Sequence, residues 1–245
     1  MPNLRPSGKI MANLSDPEDI LAEFLSANVT EYTRYDSDGY DKLPNRTIES
    51  TETFSGDDSE TEFSISTPNL VAIKEITIGG TKVYKYIDYD IDLDNAKITF
   101  DSAPTTGSNN ISVTYFEGNN WIYTDKPIDT LSRKSYPRVA IQLINQSERQ
   151  RGVNDDYYYK NYTFQIDALT YKDQLLEISS EKKANNEAVK VIAGDIVTQI
   201  KTKWRSELRT KLFNFNIINN SPVPFSENSN QFRRIIEISC DGEDS

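Results

Sequence analysis

Histidine is absent from this 245-residue chain, and cysteine occurs once, at Cys240. The first absence removes the usual general base, the Ser–His and Cys–His nucleophile pairs and the commonest transition-metal ligand. The second excludes an intrachain disulfide framework and any cysteine-based metal spacing. No apolar run approaches the length needed to cross a bilayer, and the first residues lack the charged lead, apolar stretch and cleavage site of an export signal. A soluble protein with no membrane contact is therefore expected. No long basic block stands out either: 27 Lys and Arg face 38 Asp and Glu, a formal charge of -11. Wrapping nucleic acid requires a basic face that releases counterions, so specific nucleic-acid binding is not expected. A surface past which DNA slides without adhering stays compatible. With no Gly-rich phosphate loop, histidine or metal cluster, the sequence offers no active site, no bound metal and no cofactor, and an enzyme is not expected.

What is present favours strands. The chain has 14 Tyr and 10 Phe against 2 Met and 2 Trp, and aromatic side chains suit a pleated surface. Two neighbouring apolar runs organise it, Tyr136 to Ile144 and Tyr157 to Tyr171. In the second, Tyr158, Tyr162, Phe164, Ile166 and Ala168 share one parity while Thr163, Gln165 and Asp167 share the other, the alternation of a half-buried strand. Val139, Ile141 and Leu143 repeat it in the first. The pattern predicts a long antiparallel hairpin with one wet face and a charged tip over Asn145 to Asp156.

Ahead of the hairpin, residues 1 to about 14 read as an arm without periodicity. A helix follows over roughly 16 to 28, capped either by Ser15 with Glu18 answering, or by Asp16 with Pro17 in the first turn. Ile20, Leu21, Phe24 and Leu25 form its apolar stripe. Thr30 to Ser50 reads as a polar linker or surface loop. Six short strands then follow: Thr53-Phe54, Glu62 to Ile65, Val71 to Ile78, Val83 to Tyr89, Lys97 to Phe100 and Ile111 to Phe116. Gly56-Asp57-Asp58, Gly79-Gly80, Asp94-Asn95 and Gly107 to Asn110 break them, so residues 51–117 read as a small antiparallel sandwich or barrel of their own. Past the module come a short strand at Trp121 to Thr124, the hairpin, and a helix over about 181 to 209. That helix carries Val189, Ile192, Ala193, Ile196, Val197, Ile200, Trp204 and Leu208 at three- and four-residue steps. Strands at Phe213 to Ile218 and Phe232 to Cys240 complete the sheet.

The residues of the module resemble the small β-module common in tailed-phage virion proteins, whose usual form runs F-x-G-D-G…F, V…NG, Y-x-V/D, I-x-F-x-x-A-P-x-x-G and I-x-V-x-Y. The matching residues are Phe54-Ser55-Gly56-Asp57, Gly80, Tyr89-Asp90, Ile98-Thr99-Phe100, Ala103-Pro104, Gly107 and Ile111-Ser112-Val113-Thr114-Tyr115. Asp58 stands where the second Gly is usual, and Gly79 replaces the usual Asn. With the module removed, 1–50 and 118–245 read helix, strand, long hairpin, long helix, strands. That order predicts an α+β domain, an antiparallel sheet covered by two helices, with the small all-β module inserted. Together with Tyr136-Pro137-Arg138-Val139-Ala140-Ile141 and Arg233-Arg234-Ile235-Ile236-Glu237-Ile238, it resembles tail terminator and tail-completion (neck) proteins of long-tailed viruses. The resemblance implies a homo-oligomeric ring, usually a hexamer, on the head-proximal end of the tail tube. It also implies the tube protein and the head–tail connector as partners, DNA passing through the lumen, and a place in the virion after assembly in the host cytoplasm. Readings kept beside it are a head-closure or minor tail protein of the same particle, and a surface or carbohydrate-binding adhesin.

Two candidate contact sites emerge. In the hairpin tip, Glu148, Arg149 and Arg151 would meet a neighbouring subunit or ring; the bland reading is a solvated loop. In the first linker, Tyr32, Arg34, Tyr35 and Tyr40 would form a docking strap, since Tyr and Arg are enriched in interfaces. Asp88, Asp90, Asp92 and Asp94 alternate, but counting from Asp90 the calcium-loop Gly and Glu do not fall in place, and an acidic strand face running into a turn accounts for them.

Overall fold

A computed structural model describes residues 16–29, 31–35, 42–43, 46–124, 136–150, 158–178, 180–208, 211–225 and 230–243. The chain begins with helix α1 (Pro17–Asn28), β1 (Thr33–Tyr35) and β2 (Lys42–Leu43). The next seven strands are β3 (Thr47–Gly56), β4 (Glu62–Ser64), β5 (Leu70–Ile78), β6 (Thr81–Val83), β7 (Tyr89–Asp92), β8 (Lys97–Phe100) and β9 (Gly107–Gly118). After β10 (Ile122–Tyr123) come the hairpin strands β11 (Arg138–Gln150) and β12 (Tyr158–Tyr171), then β13 (Leu175–Ile178) and β14 (Glu181–Ala184). Helix α2 (Asn185–Glu207), β15 (Leu212–Pro222) and β16 (Gln231–Glu243) follow. The protein is predominantly β, with several antiparallel sheets and two helices, so the expected α+β description fits only loosely.

The main sheet runs β10-β11-β12-β16-β15. Its hairpin is antiparallel, as expected, with Ile141 opposite Ile166 and Leu143 opposite Phe164. Inward residues Val139, Ile141, Phe164, Ile166, Ala168, Ile236 and Ile238 share one core with Ile20, Leu21, Phe24 and Leu25 of α1 and with Val189, Ile192, Ala193, Ile196 and Ile200 of α2. Both apolar stripes thus serve the same sheet face, burial being what holds short amphipathic helices in place. Of the two caps open to α1, Asp16 is the one in place: its carboxylate accepts the Glu18 N–H at 3.1 Å, and Pro17 sits in the first turn. Ser15 lies outside the described residues.

Four expectations about the host domain are corrected. The hairpin ladder continues beyond Ile144 to Gln150 opposite Tyr158, with an irregularity between Leu143 and Asn145, so the first half of the expected tip is strand. The outer face of the hairpin is not wet throughout. Tyr136, Ala140 and Leu169 form a separate buried cluster there, and buried Asp167 accepts two bonds from Arg233 at 2.7 and 2.9 Å. The second helix starts at Asn185 rather than near 181, because Glu181–Ala184 pairs with Leu175–Ile178 and its side chains extend no apolar stripe backwards. Finally, part of the linker is strand: β1 pairs with β13 and β2, giving a small sheet ordered β14-β13-β1-β2.

The strands of the inserted segment pair among themselves. Its strands form two sheets, β3-β9-β5-β6 and β4-β8-β7, and none of them pairs with a strand of the main sheet. Phe63, Ile98 and Phe100 from one sheet meet Ile73, Ile76, Ile111 and Val113 from the other in a second core. The expected strand Val83 to Tyr89 is broken, because Asp88 accepts the Tyr84 N–H at 2.8 Å and Tyr86 turns the backbone with φ 63°. The turn residues of the motif meet at one end, where the Asp58 N–H donates to the Pro104 carbonyl and the Gly56 N–H to the Asn110 side chain. A side chain on Gly56 would strike the Thr105 carbonyl at 2.4 Å, so only glycine fits beside Ala103-Pro104. Asp58 has φ 63° and Gly79 has φ 57°, so both departures from the usual motif fall where Gly, Asn and Asp tolerate the left-handed region.

Candidate functional site

Where the inserted segment leaves and rejoins the chain, Thr47 lies opposite Gly118, and the Asn119 N–H donates to the Arg46 carbonyl at 2.8 Å. Glu31, just past α1, clamps this neck. Its carboxylate accepts the Arg46 N–H, the Arg46 Nε–H at 3.0 Å, the Thr47 N–H at 2.9 Å and the Thr47 hydroxyl at 3.0 Å. Arg34 Nε lies 3.5 Å from the same carboxylate, and Arg46 also lies over the Trp121 ring, its Cζ 5.5 Å from the centroid. Burial lowers the Arg46 guanidinium to about 10, against the opposing pull of Glu31, so it is charged at neutral pH.

A second attachment lies across a cleft between α1, the inserted segment and the end of α2, lined by Ile20, Phe24, Ile73, Tyr89 and Leu208. Lys85 is ion-paired with Glu23 of α1, and Lys82 reaches both Glu75 and Glu207 at 3.8 and 3.7 Å. Tyr86 packs against the main core beneath the Lys85 and Lys211 ammonium groups, 4.7 and 5.7 Å from its ring centroid. Burial, reinforced by Glu23, pushes its phenol well above the usual value.

The linker residues proposed as a strap are engaged within the chain. The Tyr32 hydroxyl donates to Asp195 of α2 at 3.4 Å, Arg34 is buried with Nη1 donating to the Tyr136 carbonyl at 3.3 Å, and the Tyr35 hydroxyl donates to Glu177 at 2.6 Å. Tyr40 and Arg151 lie outside the described residues. Glu148 is exposed in β11 opposite Lys160, and Arg149 stands in the ladder opposite Tyr159. The structure therefore brings Tyr32, Arg34 and Tyr35 to the sheet beside α2 and leaves Glu148 far along the hairpin. Sequence reasoning missed Glu31, Arg46, Lys85 and Tyr86, which are single charged or aromatic residues in polar surroundings with no spacing to single them out. Gly118 alone left a hint, since it follows the last module strand; a side chain there would meet the Arg46 carbonyl at 2.2 Å.

Two of the alternating carboxylates, Asp88 and Asp92, close turns. Asp92 accepts the Asn95 N–H at 3.0 Å and its amide at 2.7 Å, bonds that hold it below the usual carboxylate range. Among the described residues no group of three metal-ligating side chains occurs, and no helix is long and apolar enough to cross a membrane.

The first turn of α1 lies against the outer edge of β11, where Glu18 accepts the Leu143 N–H. Burial raises Glu18 and Asp19 above the usual carboxylate range, and neighbouring Asp16 raises both further. A raised carboxylate binds more protons folded than unfolded, so its ionisation costs stability as pH rises through and above that window. Asp19→Asn should therefore raise the urea midpoint more at neutral pH than in acid, where the carboxyl takes up its proton; equal shifts in both conditions would refute this. Compared with known proteins, the chain matches no protein-family model and no curated protein sequence.

Proposed function

We propose that the chain is a structural virion protein that forms a homo-oligomeric ring on the head-proximal end of a viral tail tube and joins it to the neck. The observation that carries this reading is the architecture. A two-sheet unit bearing the phage-type module residues is spliced, through one clamped neck, into a helix-covered sheet whose long hairpin runs on to Gln150. Ring formation, rather than catalysis, is the activity such a scaffold supports: the sheet flanks and hairpin make subunit contacts, and the ring ends tube growth. The tube protein, the connector and passing DNA are its partners, and its place is the virion after assembly in the host cytoplasm.

Charge refines the picture. Residues 51–117 carry 12 acidic against 4 basic side chains, which accounts for -8 of the total -11. An outward-projecting module would hold most of the negative charge, leaving a nearly balanced core to line a bore. DNA would then pass by lack of attraction more than by repulsion.

The test is to add purified protein to free tail tubes during polymerisation. Binding at one end with arrest of elongation is expected. Binding along the tube walls would favour a minor tail protein, and binding only to head connectors a head-closure role. Glycan binding without association to either would favour an adhesin.

A further inference from the structure

The main sheet ends in opposite charge on its two flanks. On the β11 side, where α1 packs, stand Asp16, Glu18 and Asp19, with Glu148 further along the same strand. On the β15 side, where α2 packs, Lys201 and Arg205 are exposed, and no carboxylate lies within ion-pair distance of either among the described residues. Between them Trp204 packs on Phe215, ring centroids 5.9 Å apart, and with Ile217 they floor a shallow groove of mixed character that Lys201 and Asn216 also line. The adjoining strand β15 is the outermost of its sheet and carries no ionisable side chain from Leu212 to Pro222, so it lacks the charged guard that usually blunts an edge. Aromatic anchors with a basic rim are what association surfaces are built from.

We propose that this groove binds the acidic α1 flank of a second copy of the chain, giving head-to-tail association. A two-fold contact through either flank alone would set acid on acid or base on base, whereas joining unlike flanks pairs opposite charges. Contacts between different surfaces propagate and close into a ring when the rotation allows. The inference rests on the ring reading and supplies its subunit contact. It also gives a use to carboxylates that burial and mutual repulsion penalise in the isolated subunit.

The test is sedimentation and mass photometry of the full chain over a concentration series. The native protein should self-associate. Lys201→Glu with Arg205→Glu, and separately Asp19→Lys with Glu148→Lys, should each weaken association more than about tenfold, because like charges are then apposed. Mixing the two double variants should restore association, because the reversed flanks complement one another. Circular dichroism checks folding; Arg205→Glu and Glu148→Lys alone, both at exposed positions, serve if a double variant fails to fold. A native chain that stays monomeric would overturn the proposal. So would variants that associate like the native chain, or a mixture that does not recover. If such variants still cap tail tubes, the ring reading stands and only this contact falls.

Discussion

Glu31→Ala should lower the unfolding free energy by about 3–5 kcal/mol in urea titration, the cost of breaking a buried ion pair from one side. The side chain of Glu31 is only 4% exposed, and Arg46 and Arg34 beside it are 10% and 6% exposed. Alanine would leave two guanidinium groups in a poorly hydrated site and would also remove the acceptor of the Arg46 and Thr47 N–H groups. Burial already holds Arg46 down to about 10, still far above neutrality, so deprotonation offers no relief at pH 7. Glu31→Gln keeps an acceptor and should lose less. Pairing Glu31→Ala with Arg46→Met should recover part of the loss, because the stranded charge goes with its partner. A loss below about 1 kcal/mol, the range of an exposed pair, would mean that the neck is not clamped by this carboxylate.

Phe164→Ala should cost about 3–5 kcal/mol and Ile98→Ala about 2–5 kcal/mol, since both side chains are fully buried and leave cavities. The informative readout is where each loss is felt. Phe164 belongs to the core under the helices, and Ile98 to the core between the two small sheets. By hydrogen exchange, Phe164→Ala should loosen amides of β12 and β16 while β7 and β8 keep most of their protection, and Ile98→Ala should do the reverse. Uniform loss throughout the chain in either variant would show one cooperative unit.

Much of this arrangement could be read from residue order. The hairpin register follows from the parity of Val139, Ile141, Phe164 and Ile166, because a one-residue slip would turn the whole set outward. The inserted unit follows from its turn residues, since Gly56, Asp58 and Gly79 sit where the backbone demands them. What stayed hidden is what depends on distant partners. Asp167 has the parity of a wet position, yet it is buried and bonded to Arg233, 66 positions away in the chain. Thr33–Tyr35 is too short to show a period and becomes a strand only because Leu175–Ile178 offers an edge. Lys182 and Lys183 read as helix by continuity, while pairing across the Ser180 turn makes them strand. The surroundings of the candidate contacts are hidden for the same reason. Tyr and Arg in a polar stretch look available for a partner, and nothing local reveals that Asp195 and Glu177 take up the two tyrosines.

The inserted unit is fixed to its host at two separated places, the neck at Thr47 and Gly118 and the Lys85–Glu23 bridge with Tyr86 beside it. A body held at one place swivels; held at two, it acts as a bracket. A pull applied to the outer unit would reach the long sheet by way of α1 and the last turn of α2, so in a ring each bracket would register the tilt of its own subunit. Lys85→Ala would remove one strand of the second tie, leaving Lys82–Glu207 and the packing of Tyr86 to hold the bracket.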